Sequence, residues 1–369
     1  MQRIKVAIAH DFITGYGGAE RVLASFLRMY PDADIYTLLY DKEKMASLTY
    51  GHRVYTSYLQ KLPAFLRKRS KFLLPFFPRA VEEWDFSEYD LVLSSSNPFV
   101  KSILIRQPTK HICYMHAPMR YAWDYTHEYA RESGITGGVK KYILGSLLKD
   151  LRIWDVLSSD RQDVLLANSR TTQSRISKYY RRDSYVVYPP VDVEKYKSSQ
   201  SDDGYFYIIS RLSPYKNIDV AIQVCEQLGL PLKIAGTGPD MQRLKQLSGS
   251  NTEFLGFVSD MESVDLMQRS RAFIFLADDD FGIAPVEAMA AGKPVLAWKQ
   301  GGVSETVIEG KTGLFCNDIS VESVKMLIQK FLSREGDFVS ADISQHAQLF
   351  SEKQFQDSIK KHTNEVVDF

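Results

Sequence analysis

Short apolar runs that end in polar or glycine-bearing loops and lead into amphipathic segments occur as two series in this chain, one on each side of Tyr188-Pro189-Pro190. This alternation is the strongest constraint on the fold, because an apolar run feeding a helix through a tight loop is the repeating unit of a parallel α/β sheet. In the first series Lys5–His10 reads as a buried strand and Gly15-Tyr16-Gly17-Gly18 as the loop behind it. Ala19–Leu27 then reads as a helix, since Val22, Leu23, Phe26 and Leu27 recur at helical spacing. Ile35–Tyr40, Leu91–Ser94 and Ile112–His116 are further strand candidates. The Pro-Pro crossing and the polar stretch 197–204 mark a domain boundary. Beyond it, Tyr205–Ser210, Leu232–Ala235, Ala272–Leu276 and Pro294–Ala297 read as buried strands. Asn217–Leu228 reads as a helix capped by Asn217, and Pro285–Ala290 as a helix with Gly292 at its end. The expected architecture is α/β, with two doubly wound domains, 1–187 and 188–350, facing each other across a cleft. The amphipathic helix 351–369 is expected to pack back onto the first.

Composition narrows the class. A chain of 369 residues is beyond a comfortable single core. The three cysteines, Cys113, Cys225 and Cys316, lie far apart without metal or CxxC spacing, so no disulfide framework or structural zinc is expected. No apolar run approaches the ~20 residues of a membrane span, and the opening segment is too short for a secretory signal. A soluble protein of a reducing, cytoplasmic compartment is the expectation. The formal charge of +1 conceals an asymmetry: residues 1–185 carry 28 Lys+Arg and 19 Asp+Glu, against 18 and 26 in the remainder. One half therefore suits an anionic partner.

Ligands of doubly wound sheets bind where loops leave the carboxyl ends of strands, and three motifs fall there. Ser210–Lys216 places Arg211 and Lys216 between a strand and a helix start, a combination that attracts phosphate. Ala235-Gly236-Thr237-Gly238-Pro239 closes the next strand with glycines that admit close backbone approach. Neither a Walker sequence nor G-x-G-x-x-G is present, which argues against a P-loop enzyme and a dinucleotide dehydrogenase. In the third motif, 278–295, Asp279 precedes a helix start at Gly282-Ile283-Ala284, and Glu287 follows inside the helix. Two carboxylates so placed can each clasp hydroxyls of one polyhydroxylated ligand.

This last stretch resembles the E-x7-E signature of family-4 retaining glycosyltransferases of the GT-B fold, which use nucleotide sugars and have two Rossmann-like domains. Supporting the resemblance are Gly17-Gly18-Ala19-Glu20, His116 through Asp124, Arg211 and Lys216, Gly236 through Pro239, and Gly256 through Asp260. The pattern is most similar to a bacterial polysaccharide mannosyltransferase-like branch. The resemblance implies that Arg211 and Lys216 bind the donor diphosphate, that Glu287 holds the ribose, and that Asp279 with the amides of Gly282, Ile283 and Ala284 holds the donor sugar. It further implies that His116 lies near the transferred sugar, that Gly17 and Gly18 approach the phosphates, and that backbone around Gly256–Val258 meets the base. The first acid of the signature is here Asp279 rather than Glu, which bears on the donor sugar. GDP-mannose is the first expected donor, then a UDP- or dTDP-linked hexose, and the acceptor a glycan or lipid-linked sugar.

No cofactor or metal is expected, because cations and helix-start amides can stabilise a departing diphosphate themselves. Asp278-Asp279-Asp280 also satisfies D-x-D, a metal-binding pattern of single-domain glycosyltransferases, but the second set of βα units speaks against that fold. A sugar-nucleotide epimerase and a non-catalytic sugar-nucleotide binder are the alternative functions. Residues 53–81 hold seven cations and no acid, interleaved with large apolar residues. They suit an anionic membrane surface better than nucleic acid. The resemblance and this stretch together predict peripheral attachment at the inner face of the plasma membrane.

Overall fold

The computed structural model describes residues 4–67, 70–132 and 137–367. Two compact units meet in the chain between Pro189 and Pro190, and from Phe355 the chain rejoins the first. The first unit is built on seven strands: β1 (Val6–Ile13), β2 (Asp34–Tyr40), β3 (Val54–Thr56), β4 (Leu91–Ser96), β5 (Lys110–Met115), β6 (Val164–Ala167) and β7 (Tyr185–Val186), in the order β3-β2-β1-β4-β5-β6-β7. The second holds six: β8 (Phe206–Ile209), β9 (Leu232–Ala235), β10 (Thr252–Gly256), β11 (Ala272–Phe275), β12 (Val295–Trp298) and β13 (Gly313–Cys316), in the order β10-β9-β8-β11-β12-β13. All pairings are parallel. Both sheets reverse their strand order beside their first strand, at β1/β4 and β8/β11, where doubly wound sheets open a crevice.

Burial on both faces explains why the strands are nearly continuous apolar runs. Ala7, Ile8 and Ala9 of β1 and Leu91, Val92 and Leu93 of β4 are fully buried. The apolar stripe of helix Gly18–Met29 covers one face through Val22, Leu23 and Phe26. The last helix, Glu352–Val366, completes that layer. Phe355 stacks on Phe26 with ring centroids 5.7 Å apart and meets Tyr114 edge-on at 5.5 Å. All three cysteines are buried and free. Among the described residues no helix is long and apolar enough to cross a membrane.

One local expectation is corrected. Asn217 does not cap helix Ile218–Leu228 as an acceptor: it takes a left-handed conformation, φ 53°, and its amide donates to the carbonyls of Leu276 (2.8 Å) and Tyr215 (3.3 Å). Asn tolerates that conformation better than most residues. The side chain thereby fastens the β8 loop to the end of β11, a long-range role that a local cap rule does not detect.

Candidate functional site

The loops at the carboxyl end of the second sheet carry most of the residues singled out above. Between β8 and helix Ile218–Leu228, Pro214–Lys216 forms a short turn that aims Lys216 at the β11 loop. The Lys216 ammonium lies 2.8 and 2.5 Å from the two carboxylate oxygens of Asp279. A small hollow beside it is lined by Ile209, Ser210, Lys216 and Leu276. Arg211, on the same loop, is exposed. One cation is thus paired with an acid while its neighbour faces solvent.

The glycines of the β9 loop serve close packing between loops. A Cβ on Gly236, whose φ is 121°, would fall 1.9 Å from the Ser210 carbonyl oxygen, and one on Gly238 would fall 2.1 Å from that of Leu212. The two loops lie backbone to backbone: Ser210 N–H donates to Ala235 O (3.1 Å), Leu212 N–H to Thr237 O (3.0 Å) and Asp240 N–H to Leu212 O (3.1 Å). The carbonyl of Gly256 at the end of β10 accepts from Gly236 N–H at 2.6 Å, Val258 is half-buried, and Phe257 between them is exposed. Arg211 is therefore carried on a loop whose position is set by Gly236 and Gly238.

After β11, Asp278–Phe281 leads into helix Ile283–Ala290, with Gly282 at its N-cap at φ 83°. The amides of Gly282, Ile283 and Ala284 form the helix start, where an anion is favoured. Glu287 is buried within that helix, 6% exposed, with Lys195 Nζ 3.6 Å from Oε1. A buried carboxylate is costly without a counter-charge. Lys195 supplies one from the turn Val193–Lys195 just past the Pro-Pro crossing, where no periodicity or motif drew attention to it. Gly301 and Gly302, also missed, support the acidic loop from below: Gly302 N–H donates to Asp279 O at 2.9 Å, and a Cβ on Gly301 would meet that oxygen at 2.3 Å. A second Gly-Gly pair, separated from a buried strand by two residues, was the available signal. Among the described residues no three of His, Cys, Asp and Glu converge as a metal cage.

His116, Gly17 and Gly18 belong to the first unit, at the carboxyl ends of β5 and β1. His116 Nε2 is 2.8 Å from Ser95 Oγ, and burial pushes its pKa down to about 3, so the ring is neutral at physiological pH. His10 closes the same region: its Nε2 lies 3.6 Å from Glu20 Oε1, and its buried Nδ1 has no hydrogen-bond partner among the described residues. Gly17 is the N-cap of the helix Gly18–Met29, and a Cβ there would sit 3.1 Å from Glu20 Oε2. Glu20 thus turns toward His10. The Asp11 carboxylate accepts from the amides of Asn97 (2.5 Å) and Val100 (2.7 Å), and burial nonetheless raises its pKa to about 6. In the segment after His116, Trp123 is anchored rather than open: Nε1 donates to Asp155 at 2.8 Å and the ring stacks on Tyr179 at 4.7 Å. Asp124 accepts from Tyr179 and pairs with Arg175 at 3.3 Å.

The basic stretch 53–81 is divided among short turns and helices. Leu59, Leu73, Leu74 and Phe77 enter the core, whereas Phe65, Phe72 and Phe76 stay exposed. Arg53 is paired with Asp34 at 2.8 Å and Arg79 with Glu83 at 3.0 Å; Lys68 and Arg69 lie outside the described residues.

Comparison with known proteins gives this arrangement a context. Residues 16–195 match the model of Glycosyltransferase Family 4, and residues 192–349 match that of Glycosyl transferases group 1. An uncharacterised glycosyltransferase of Methanocaldococcus jannaschii is 23% identical over 183 residues, 48% of this chain and 52% of that one. A GDP-mannose-dependent α-(1-6)-phosphatidylinositol monomannoside mannosyltransferase of Mycolicibacterium smegmatis is 25% identical over 203 residues, covering 46% and 53%. The chain spans about half the length of the curated relatives it matches. Among solved structures, Anabaena HepE in complex with UDP-glucose superposes with a TM-score of 0.69 at 20% identity, over 97% of this chain and 99% of that one. Two parallel doubly wound sheets, family models that together run from residue 16 to 349, and a full-length structural match agree: the chain belongs to the family-4 glycosyltransferases of the GT-B fold.

Proposed function

We propose that the protein transfers a hexose, with retention of configuration, from a nucleotide-sugar donor to a glycan or lipid-linked acceptor. The single observation that carries this reading is the convergence of Arg211, Lys216, Asp279 and the start of helix Ile283–Ala290 on adjacent strand ends of one sheet. Cleaving a glycosyl–phosphate bond places negative charge on the departing diphosphate. Arg211, exposed and pre-positioned by its glycine-packed loop, meets that charge together with Lys216 and the helix-start amides. Asp279 and Glu287 provide acceptors for donor hydroxyls, and Lys216 shifts from Asp279 toward phosphate when donor arrives. Transfer needs no metal in this scheme. Mannose from GDP-mannose is the preferred donor, supported by the mycobacterial relative, and a UDP- or dTDP-hexose is next, supported by the UDP-glucose complex of HepE. The acceptor is presented at an anionic membrane surface on the cytoplasmic side, a reading supported by the seven cations and absence of acids in the sequence of residues 53–81.

Thermal-shift titration against GDP-mannose, UDP-glucose, UDP-galactose and dTDP-glucose tests the reading, because a true donor raises the unfolding temperature according to its affinity. Stabilisation by one nucleotide sugar, with sugar release undiminished in EDTA, is expected. Stabilisation by none of them refutes it.

A further inference from the structure

The helix Gly138–Leu157 was not singled out from its sequence, yet it presents two apolar stripes. One, Leu147, Leu148, Leu151 and Trp154, packs on the same core cluster as Leu59, Leu73 and Phe77. The other lies in solvent: Val139, Tyr142 and Ile143 are 75%, 79% and 60% exposed, and Ile153 and Leu157 continue the same face at helical spacing. Ser146 and Asp150 separate the two groups on that face, so the exposed apolar area is concentrated at Val139, Tyr142 and Ile143, with a smaller group at Ile153 and Leu157. A water-facing helix surface does not ordinarily carry large apolar side chains clustered in this way. Charge indicates what covers it. Lys149 pairs with Asp150 at 3.1 Å and Arg152 donates to the Ala122 carbonyl at 2.9 Å, which leaves the exposed Lys140 and Lys141 as the cations beside Val139, Tyr142 and Ile143. Asp155 is withdrawn into the core beside Lys101 at 3.2 Å. The exposed Phe65, Phe72 and Phe76 belong to a segment that shares this helix's core and is itself rich in cations.

We propose that the exposed stripe of Gly138–Leu157 is a bilayer-contacting surface for anionic phospholipid, the helix lying in the interface with Val139, Tyr142 and Ile143 at its inserting end. Apolar side chains among lysines, with the other helix face fixed to a folded core, are what interfacial adsorption requires: area to bury and cations for the headgroups. The inference rests on the membrane-side acceptor reading above, and it moves the main apolar contact from residues 53–81 to this helix.

Vesicle sedimentation tests it. The intact chain should pellet with phosphatidylcholine vesicles containing phosphatidylglycerol and far less with phosphatidylcholine alone. Val139→Ser/Tyr142→Ser/Ile143→Ser should lower partitioning roughly tenfold or more, and Lys140→Glu/Lys141→Glu should abolish the preference for the anionic lipid. Ile153→Ser/Leu157→Ser, at the far end of the stripe, provides a second apolar variant should the triple one not fold. Because the native cysteines are all buried, Tyr142→Cys can carry an environment-sensitive fluorophore, whose emission should shift to the blue on adding the anionic vesicles. Failure of the intact chain to bind either vesicle, unchanged binding by the stripe variants, or an unshifted fluorophore overturns the proposal. So does a dimer in solution that the stripe variants convert to monomer without loss of vesicle binding, since the stripe is then an interface between copies. Donor thermal shifts measured on the same variants should match those of the unmodified chain. A failed membrane contact is thereby separated from a failed glycosyl-transfer reading.

Discussion

Replacing Gly236 or Gly238 by alanine tests whether loop packing sets the position of Arg211. The added Cβ would stand 1.9 Å from Ser210 O in the first case and 2.1 Å from Leu212 O in the second, whereas real Cβ atoms essentially never come within 3.0 Å. One backbone must therefore move by about 1 Å in either variant. Because three hydrogen bonds join the loops, the shift is transmitted to Arg211. A displacement of this size at a positioning element costs about 10²-fold in kcat/KM, near 2.7 kcal/mol in the barrier. Gly229→Ala, at the C-cap of helix Ile218–Leu228, is the control: its φ is 65°, but nothing lies within 4 Å of the added carbon. It should cost about 1 kcal/mol of conformational strain with the Arg211 loop undisturbed. Thermal unfolding with and without the stabilising nucleotide sugar separates the two effects. Gly236→Ala and Gly238→Ala should lose most of the donor-induced shift, and Gly229→Ala should keep it while unfolding slightly earlier. The reverse ranking would show that loop packing does not govern the donor site.

Arg211→Ala and Lys216→Ala should each lower turnover about 10²–10³-fold, and Lys216→Ala should also lower the unfolding midpoint, since Asp279 loses a 2.5 Å partner; near-normal turnover in both variants refutes their assignment to the diphosphate. Lys195→Ala should destabilise the second unit by about 1–2 kcal/mol in denaturant titration, with Lys195→Arg restoring most of it if the contact with Glu287 is electrostatic. Stability should fall on acidification from pH 6.5, because burial holds His111 and His116 down at about 3, so the unfolded chain takes up those protons first. Asp11, raised to about 6, acts in the opposite sense between about pH 6 and pH 4. His111→Gln should therefore flatten the pH slope of the urea-unfolding free energy by about 1.4 kcal/mol per pH unit, and an unchanged slope would contradict its buried, neutral state.

What could be read before any coordinates follows from the range of each interaction. Leu232–Ala235 is a strand at the expected residues and Ala272–Leu276 nearly so, because a buried parallel strand is an uninterrupted apolar run between turn residues. β6, β10 and β13 were passed over. Thr252–Gly256 is only half-buried and mixes polar with apolar residues, and Gly313–Cys316 opens on a glycine, which leaves an apolar run of only Leu314–Cys316. The carboxylates and cations of the donor side were visible because each sits in a strand-to-helix loop of distinctive composition. Their pairing was not: nothing in the order of residues says that Lys216 meets Asp279, 63 positions away, or that Lys195 reaches Glu287. Residues 53–81 show the opposite failing, since composition alone cannot tell Phe77, which enters the core, from Phe76, which remains in solvent.

The helix Glu352–Val366 bears on how the chain is made. Phe355 and Ile359 fill the core of the first unit, yet they follow the whole of the second in the order of synthesis. A nascent chain emerging from the ribosome would usually complete its amino-terminal domain first. Here the pocket formed by Phe26 and Tyr114 stays open until some 165 further residues, Pro190–Gln354, have been added, and the second unit can finish before the first. A premature stop anywhere in the second unit thus damages both, leaving an apolar gap in a domain whose own strands are already complete.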